Sequence, residues 1–74
     1  MYATVTVTIA DHTYTASTRP VPSGDGEEIE VRIYRDGVWS GTGEWYYNTI
    51  VDCPADLGDE VYDALDEALM AALA

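Results

Sequence analysis

The stretch from Asp52 to Ala74, DCPADLGDEVYDALDEALMAALA, decides the fold. Leu57, Val61, Leu65, Ala68, Leu69, Ala72 and Leu73 recur at three- and four-residue steps and draw one apolar stripe. Asp56, Asp59, Glu60, Asp63, Asp66 and Glu67 fall opposite it, within an arc of roughly 120° at about 100° per residue. The pattern predicts one amphipathic helix with an acidic back and no Lys or Arg among its acids. Pro54 marks its expected beginning, with Asp52 or Asp56 as N-cap. Gly58 fits a first helical turn poorly, so the body is expected from about residue 59 onward.

Working back from the helix, the chain reads as strands. Residues 2–9, YATVTVTI, alternate strictly, with Val5, Val7 and Ile9 on one face and Thr4, Thr6 and Thr8 on the other. A turn at Asp11-His12 leads to a second alternating run, TYTAST at 13–18. That turn would set Ile9 against Tyr14, Val7 against Ala16 and Val5 against Thr18. Residues 19–28, RPVPSGDGEE, form a loop with an acidic end. Residues 29–35, IEVRIYR, alternate again, and Asp36-Gly37 is a strong type I′ hairpin signal. Across it Tyr34 should face Trp39, and Arg32 should face Gly41. The outward side would then gather Arg32, Tyr34, Trp39 and Trp45 around the bare Gly41 and Gly43. Residues 45–51 continue that strand or make a short fifth one.

The 74 residues allow a single domain and a thin core, since a chain this short buries only about 60% of the surface its unfolded form exposes. The expected fold is α+β: one antiparallel sheet of four or five strands, with the C-terminal helix packed on its Val/Ile face.

Charge narrows the partners. Fourteen Asp and Glu against three Arg give a formal net charge of −11. The usual magnitude for a small soluble domain is about 2–8. Nucleic acid and anionic membranes require a basic footprint, so neither is an expected partner. A basic protein is; the oligomeric state is left open by the sequence, with a monomer favoured. Salt-adapted proteins spread their acids evenly, whereas half of the fourteen here lie in residues 52–67.

Catalytic chemistry finds little to stand on. His12 is the only histidine and reads as a solvated turn residue. Cys53 is the only cysteine, which excludes an internal disulfide and suits a half-buried structural thiol. One His and one Cys cannot build a zinc site, and SGDGEE lacks the spacing of a calcium loop. The chain is therefore expected to be no enzyme and to use no cofactor or metal. No stretch at its start resembles a signal peptide and no long apolar run suggests a membrane span, so a cytoplasmic location is expected.

The acidic back carries the functional expectation. Solvated helix faces ordinarily mix signs, because like charges at i,i+4 cost a few tenths of a kcal/mol per pair. Here they stand at 56/60, 59/63 and 63/67. Over residues 56–67 the carboxylates would span roughly 16 Å, about one per 3 Å, beside ~3.4 Å per charge along one DNA strand. In size, charge, lack of catalytic residues and sheet-plus-helix build, the chain resembles the small acidic inhibitors of phages and mobile elements. Anti-CRISPR proteins that mimic DNA electrostatically are among them. That resemblance implies a DNA mimic acting in the host cytoplasm, which would occupy a basic nucleic-acid-binding protein such as a CRISPR effector subunit. Asp56, Asp59, Glu60, Asp63, Asp66 and Glu67 would make the main contacts, with Asp25, Glu27, Glu28 and Glu30 as a second patch. The competing expectation is a structural or oligomeric interaction module using the aromatic face of Arg32, Tyr34, Trp39 and Trp45.

Overall fold

A computed structural model covers the chain, and the structure describes residues 2–21 and 28–74. Five strands follow one another as an antiparallel meander: β1 (Thr4–Ile9), β2 (His12–Pro20), β3 (Ile29–Arg35), β4 (Val38–Tyr46) and β5 (Thr49–Val51). Among the described residues one helix, α1 (Asp59–Leu73), follows the strands. The sheet curls into a half-barrel, and α1 packs into its concave side against β1, β2 and β5. The architecture is α+β, as the alternating strands and the amphipathic C-terminal run predict.

The three two-residue hairpins share one backbone geometry. Both central residues have positive φ in each: Ala10 and Asp11 at 51° and 66°, Asp36 and Gly37 at 51° and 81°, Tyr47 and Asn48 at 49° and 63°. This is the type I′ signature, whose twist matches that of the strands it joins. Only Asp36-Gly37 carries the composition that announces it. At the first hairpin the turn is Ala10-Asp11, one residue earlier than Asp11-His12, so Ile9 pairs with His12, Val7 with Tyr14 and Val5 with Ala16. The slip shifts every pairing by two residues, which preserves which side chains face inward.

Another correction lies in β4. Tyr34 pairs with Trp39 as expected, but Ile33 pairs with Gly41 and Arg32 with Thr42. Ser40 is therefore an extra residue, a β-bulge that reverses the facing of the rest of the strand. Gly41, Gly43 and Trp45 consequently point to the concave side instead of the outer one. The glycines make room there for the chain that leaves β5. A Cβ on Gly43 would stand 2.6 Å from the Val51 carbonyl oxygen and 2.8 Å from the Cys53 Cβ. Trp45 packs against the core.

That returning chain has no regular structure, so residues 52–58 are not the first turns of the helix. Helix α1 begins at Asp59, with Gly58 as its N-cap and no side-chain cap. Gly58 sits at φ 84° and ψ 158°, a region essentially reserved for glycine. Leu57 still reaches the core from this segment, while Ala72 is exposed near the end of the apolar stripe.

The core joins Tyr14, Ala16, Val31 and Ile33 from the sheet to Val61, Leu65 and Leu69 from the helix. Half-buried Val5, Val7, Ile9, Ile50 and Leu73 close its margins. Thr18 is buried with its hydroxyl satisfied, accepting from the Ala3 N–H at 2.7 Å and donating to the Ala3 carbonyl at 3.1 Å. No helix among the described residues is long and apolar enough to cross a membrane.

Candidate functional site

The acidic face of α1 is built on a helix anchored by three fully or nearly buried residues, Val61, Leu65 and Leu69, so its carboxylates have fixed relative positions. Asp59, Glu60, Asp63 and Glu67 are all exposed. Among the described residues, the ion pairs involve only Asp36 and Glu30 as acids, so none of these four is neutralised. Asp59 and Glu60 stand in the first turn, where the positive end of the helix dipole favours them, and no basic residue occupies the last turn. Asp63 and Glu67 lack that compensation and continue the line at four-residue steps.

Two acids of the predicted stripe have other surroundings. Asp56 is exposed but lies in the irregular segment before the helix, so 56/60 is no helical i,i+4 pair. Asp66 is half-buried and turned to the sheet, where one oxygen accepts from the Thr49 hydroxyl at 2.8 Å and the other from the Ile50 N–H at 2.9 Å. This carboxylate pins the short edge strand β5 to the helix. The helical line is therefore Asp59, Glu60, Asp63 and Glu67. It spans about 12 Å with roughly one charge per 4 Å, still close to the spacing along one DNA strand.

The second acidic patch does not form one surface. Asp25 and Glu27 lie outside the described residues. Glu28 is exposed, and its carbonyl accepts from the Val21 N–H. Glu30 is half-buried on the outer sheet face, where it accepts from Arg32 Nε at 2.7 Å and lies 3.7 Å from Arg19 Nε. The hydrogen bond to Glu30 is the main reason the Arg32 guanidinium is held above its ordinary pKa. Glu30 is thus neutralised within the sheet. With Glu44 and Asp52 it lines a shallow recess of about 200 Å³, completed by Val21, Thr42 and Gly43. That is below the roughly 300 Å³ at which small-molecule pockets begin.

The aromatic face is smaller than the sequence implies. Trp39 is 59% exposed and donates through Nε1 to the Thr42 hydroxyl at 3.1 Å, beside its cross-strand partner Tyr34. Arg32 lies next to them, and Trp45 is on the opposite side of the sheet. Sequence reading missed two other exposed aromatics at the β4–β5 turn. Tyr46 and Tyr47 stand 58% and 84% exposed, with ring centroids 4.3 Å apart in an edge-on arrangement. The signal was present in Tyr47-Asn48, but a tyrosine with positive φ is rare enough that the turn was not legible.

His12 and Cys53 both lie among contacts that tie elements of the fold together. His12 opens β2 and bridges two hairpin ends, with Nδ1 2.6 Å from Asp36 Oδ2 and Nε2 2.8 Å from an Arg35 guanidinium nitrogen. A guanidinium can only donate, so Nε2 accepts and Nδ1 carries the proton given to Asp36. Both ring nitrogens are thus engaged within the hairpin ends. Asp36 also accepts from the Thr13 N–H at 2.8 Å. That bond, ahead of the one from His12, holds its carboxyl below the ordinary aspartate pKa. At the other end of the molecule the Tyr62 hydroxyl donates to the Ala55 carbonyl. Burial first, then the hydrogen bond to Cys53, raises Tyr62 far above the ordinary tyrosine range. It fastens the returning segment to the helix as a neutral phenol. Among the described residues, no group of three or more His, Cys, Asp or Glu is arranged to hold a metal ion.

Comparison with protein-family models, with curated proteins and with solved structures gives no match.

Proposed function

We propose that this chain is a non-enzymatic acidic inhibitor that binds a basic, nucleic-acid-handling protein and blocks its access to DNA, a CRISPR effector subunit being one such target. The observation that carries this reading is the line of exposed, unneutralised carboxylates Asp59, Glu60, Asp63 and Glu67 on a helix anchored in the core. Their mutual repulsion works against the helix, since like charges at i,i+4 cost a few tenths of a kcal/mol per pair. A basic groove that accepts a line of phosphates would accept this line. The reading is tested by capturing partners from a bacterial lysate on the immobilised chain. DNA-binding proteins retained at low salt and released at high salt support it; retention of salt-insensitive partners of other kinds contradicts it.

A second reading rests on Trp39. Its 59% exposure beside Tyr34 and Arg32 is the composition of an interface anchor, which would make the outer sheet face a protein-interaction module. In that case Trp39→Ala would abolish capture while salt would leave it unchanged.

A further inference from the structure

The β4–β5 turn holds two exposed rings, Tyr46 and Tyr47, in edge-on contact. Tyr47 takes a φ of 49°, where a tyrosine is uncommon. Type I′ turns favour Asn, Asp or Gly at that position, and Asp36-Gly37 is such a turn in the same chain. The fold gains little from the Tyr47 ring, which is almost wholly in solvent. Trp45 packs against the core, so Glu44 and Tyr46 share the outer side of β4, about 7 Å apart along the strand. Glu44 is exposed and directly faces Glu30 on β3, a like-charge pair that works against the sheet. Glu30 is satisfied by Arg32 and lies near Arg19, whereas among the described residues Glu44 is in no ion pair. The remaining arginine, Arg35, meets His12. On its other flank Tyr46 pairs with Thr49, whose hydroxyl donates to Asp66. Asp63 stands one helical turn before Asp66, on the acidic line. Two bare rings thus lie between an unneutralised carboxylate of the sheet and those of the helix, and the chain's own cations are engaged elsewhere.

We infer that this turn receives an arginine side chain of a basic protein, its guanidinium stacked on the Tyr46–Tyr47 pair and donating to the Glu44 carboxylate. The contact rests on the proposed engagement of a basic protein by the helix face, and it names the cation that protein supplies. Charge complementarity selects a cation, because the flanking groups are acids and the rings present a negative face. The rings select arginine over lysine. A guanidinium is planar and weakly hydrated, so it lies on an aromatic face while its edge still donates to a carboxylate. A lysine ammonium is compact and strongly hydrated, and it gains less from the rings. The helix line then supplies charge attraction, and the turn supplies discrimination among cationic side chains.

Two short peptides of equal length and charge, one of Arg and Gly and the other of Lys and Gly, serve as probes. Each is titrated into the whole chain at about 0.15 M NaCl and followed by NMR. The expected result is binding of the Arg peptide roughly fivefold tighter than the Lys peptide, with the arginine δ-methylene protons moved upfield by the tyrosine rings. Tyr46→Thr/Tyr47→Asn should bring the Arg peptide down to the affinity of the Lys peptide, abolish the upfield shift and leave the Lys peptide unaffected. Tyr47→Asn alone should raise the melting temperature while weakening the Arg peptide, which separates lost contact from lost folding. Equal affinity of the two peptides for the parent chain overturns the inference, as does a preference that survives the double tyrosine variant, or no binding of either peptide. A change in the sedimentation of the chain alone on replacing both tyrosines, with no Arg preference in the parent, also overturns it and assigns the rings to a second copy. Asp59→Lys/Asp63→Lys/Glu67→Lys distinguishes the two surfaces. If that variant keeps the tyrosine-dependent Arg preference at undiminished affinity, the arginine contact stands and the helix reading fails. If it loses both peptides while the parent binds them equally, the helix reading stands and the arginine contact fails.

Discussion

The carboxylate of Asp66 accepts the backbone N–H of Ile50 at 2.9 Å, which ties the last strand of the sheet to the middle of the helix. Its other oxygen takes the Thr49 hydroxyl, so one acid on the charged helix serves the fold. Asp66→Ala would leave the Ile50 N–H unpartnered at a half-buried edge. The expected loss is about 1–3 kcal/mol in a urea titration, with Asp66→Asn losing less because its amide keeps one acceptor.

Asp63 should behave in the opposite way. It stands four residues from both Asp59 and Glu67 and is exposed. Asp63→Lys converts two repulsive i,i+4 pairs into attractive ones, which should raise stability by roughly 0.5–1 kcal/mol. The same change should weaken capture of basic partners. Thermal melts together with a binding assay on one variant check the two signs. A stabilised variant with undiminished capture would remove Asp63 from the interface.

The glycines of β4 answer to backbone and not to the outer aromatics. Gly43→Ala places a methyl group 2.6 Å from the Val51 carbonyl, an obstacle that cannot swing aside. The segment leaving β5 would have to shift, at an expected cost of about 1–3 kcal/mol in chemical denaturation. Gly37→Ala serves as a comparison, since nothing lies within 4 Å of its Cβ position and only its positive φ opposes the change.

Acid should act on the His12–Asp36 bridge in a defined window. The Asp36 carboxyl is held below 3.8, first by the Thr13 N–H and then by His12. A depressed carboxyl contributes stability that is present above its ordinary pKa and lost as pH falls through its folded value. The difference in melting temperature between the parent chain and Asp36→Asn should therefore shrink as pH falls below about pH 4. Taking the difference removes the opposing effect of protonating the helix acids. Far-from-neutral charge in the rest of the chain then leaves the comparison intact.

Periodicity made the strands and the helix body legible, because alternation in TVTVTI and the three- and four-residue steps from Val61 to Leu73 reflect burial directly. The helix start was not legible. Leu57 continues the apolar stripe by spacing, yet it reaches the core from the irregular segment before the helix, and Gly58 is the N-cap at a backbone angle that spacing cannot reveal. The facing of Trp45 depended on a bulge at Ser40, and a single inserted residue reverses all that follows it. At the acidic face the sequence identified exposed charges well but could not distinguish Asp66 from its neighbours. Its role is set by Thr49 and Ile50, which are distant in sequence.

The proposed engagement of a basic DNA-binding protein by the helix carboxylates is an interaction of charge. Its most direct test is a side-by-side capture from bacterial lysate by the parent chain and by Asp59→Lys/Asp63→Lys/Glu67→Lys, with circular dichroism verifying that both are folded and with retained proteins eluted along a salt gradient. The account predicts that the parent chain retains DNA-binding proteins, that added duplex DNA displaces them, and that the triple variant retains none. Retention of the same proteins by the triple variant, unaffected by DNA, would contradict it.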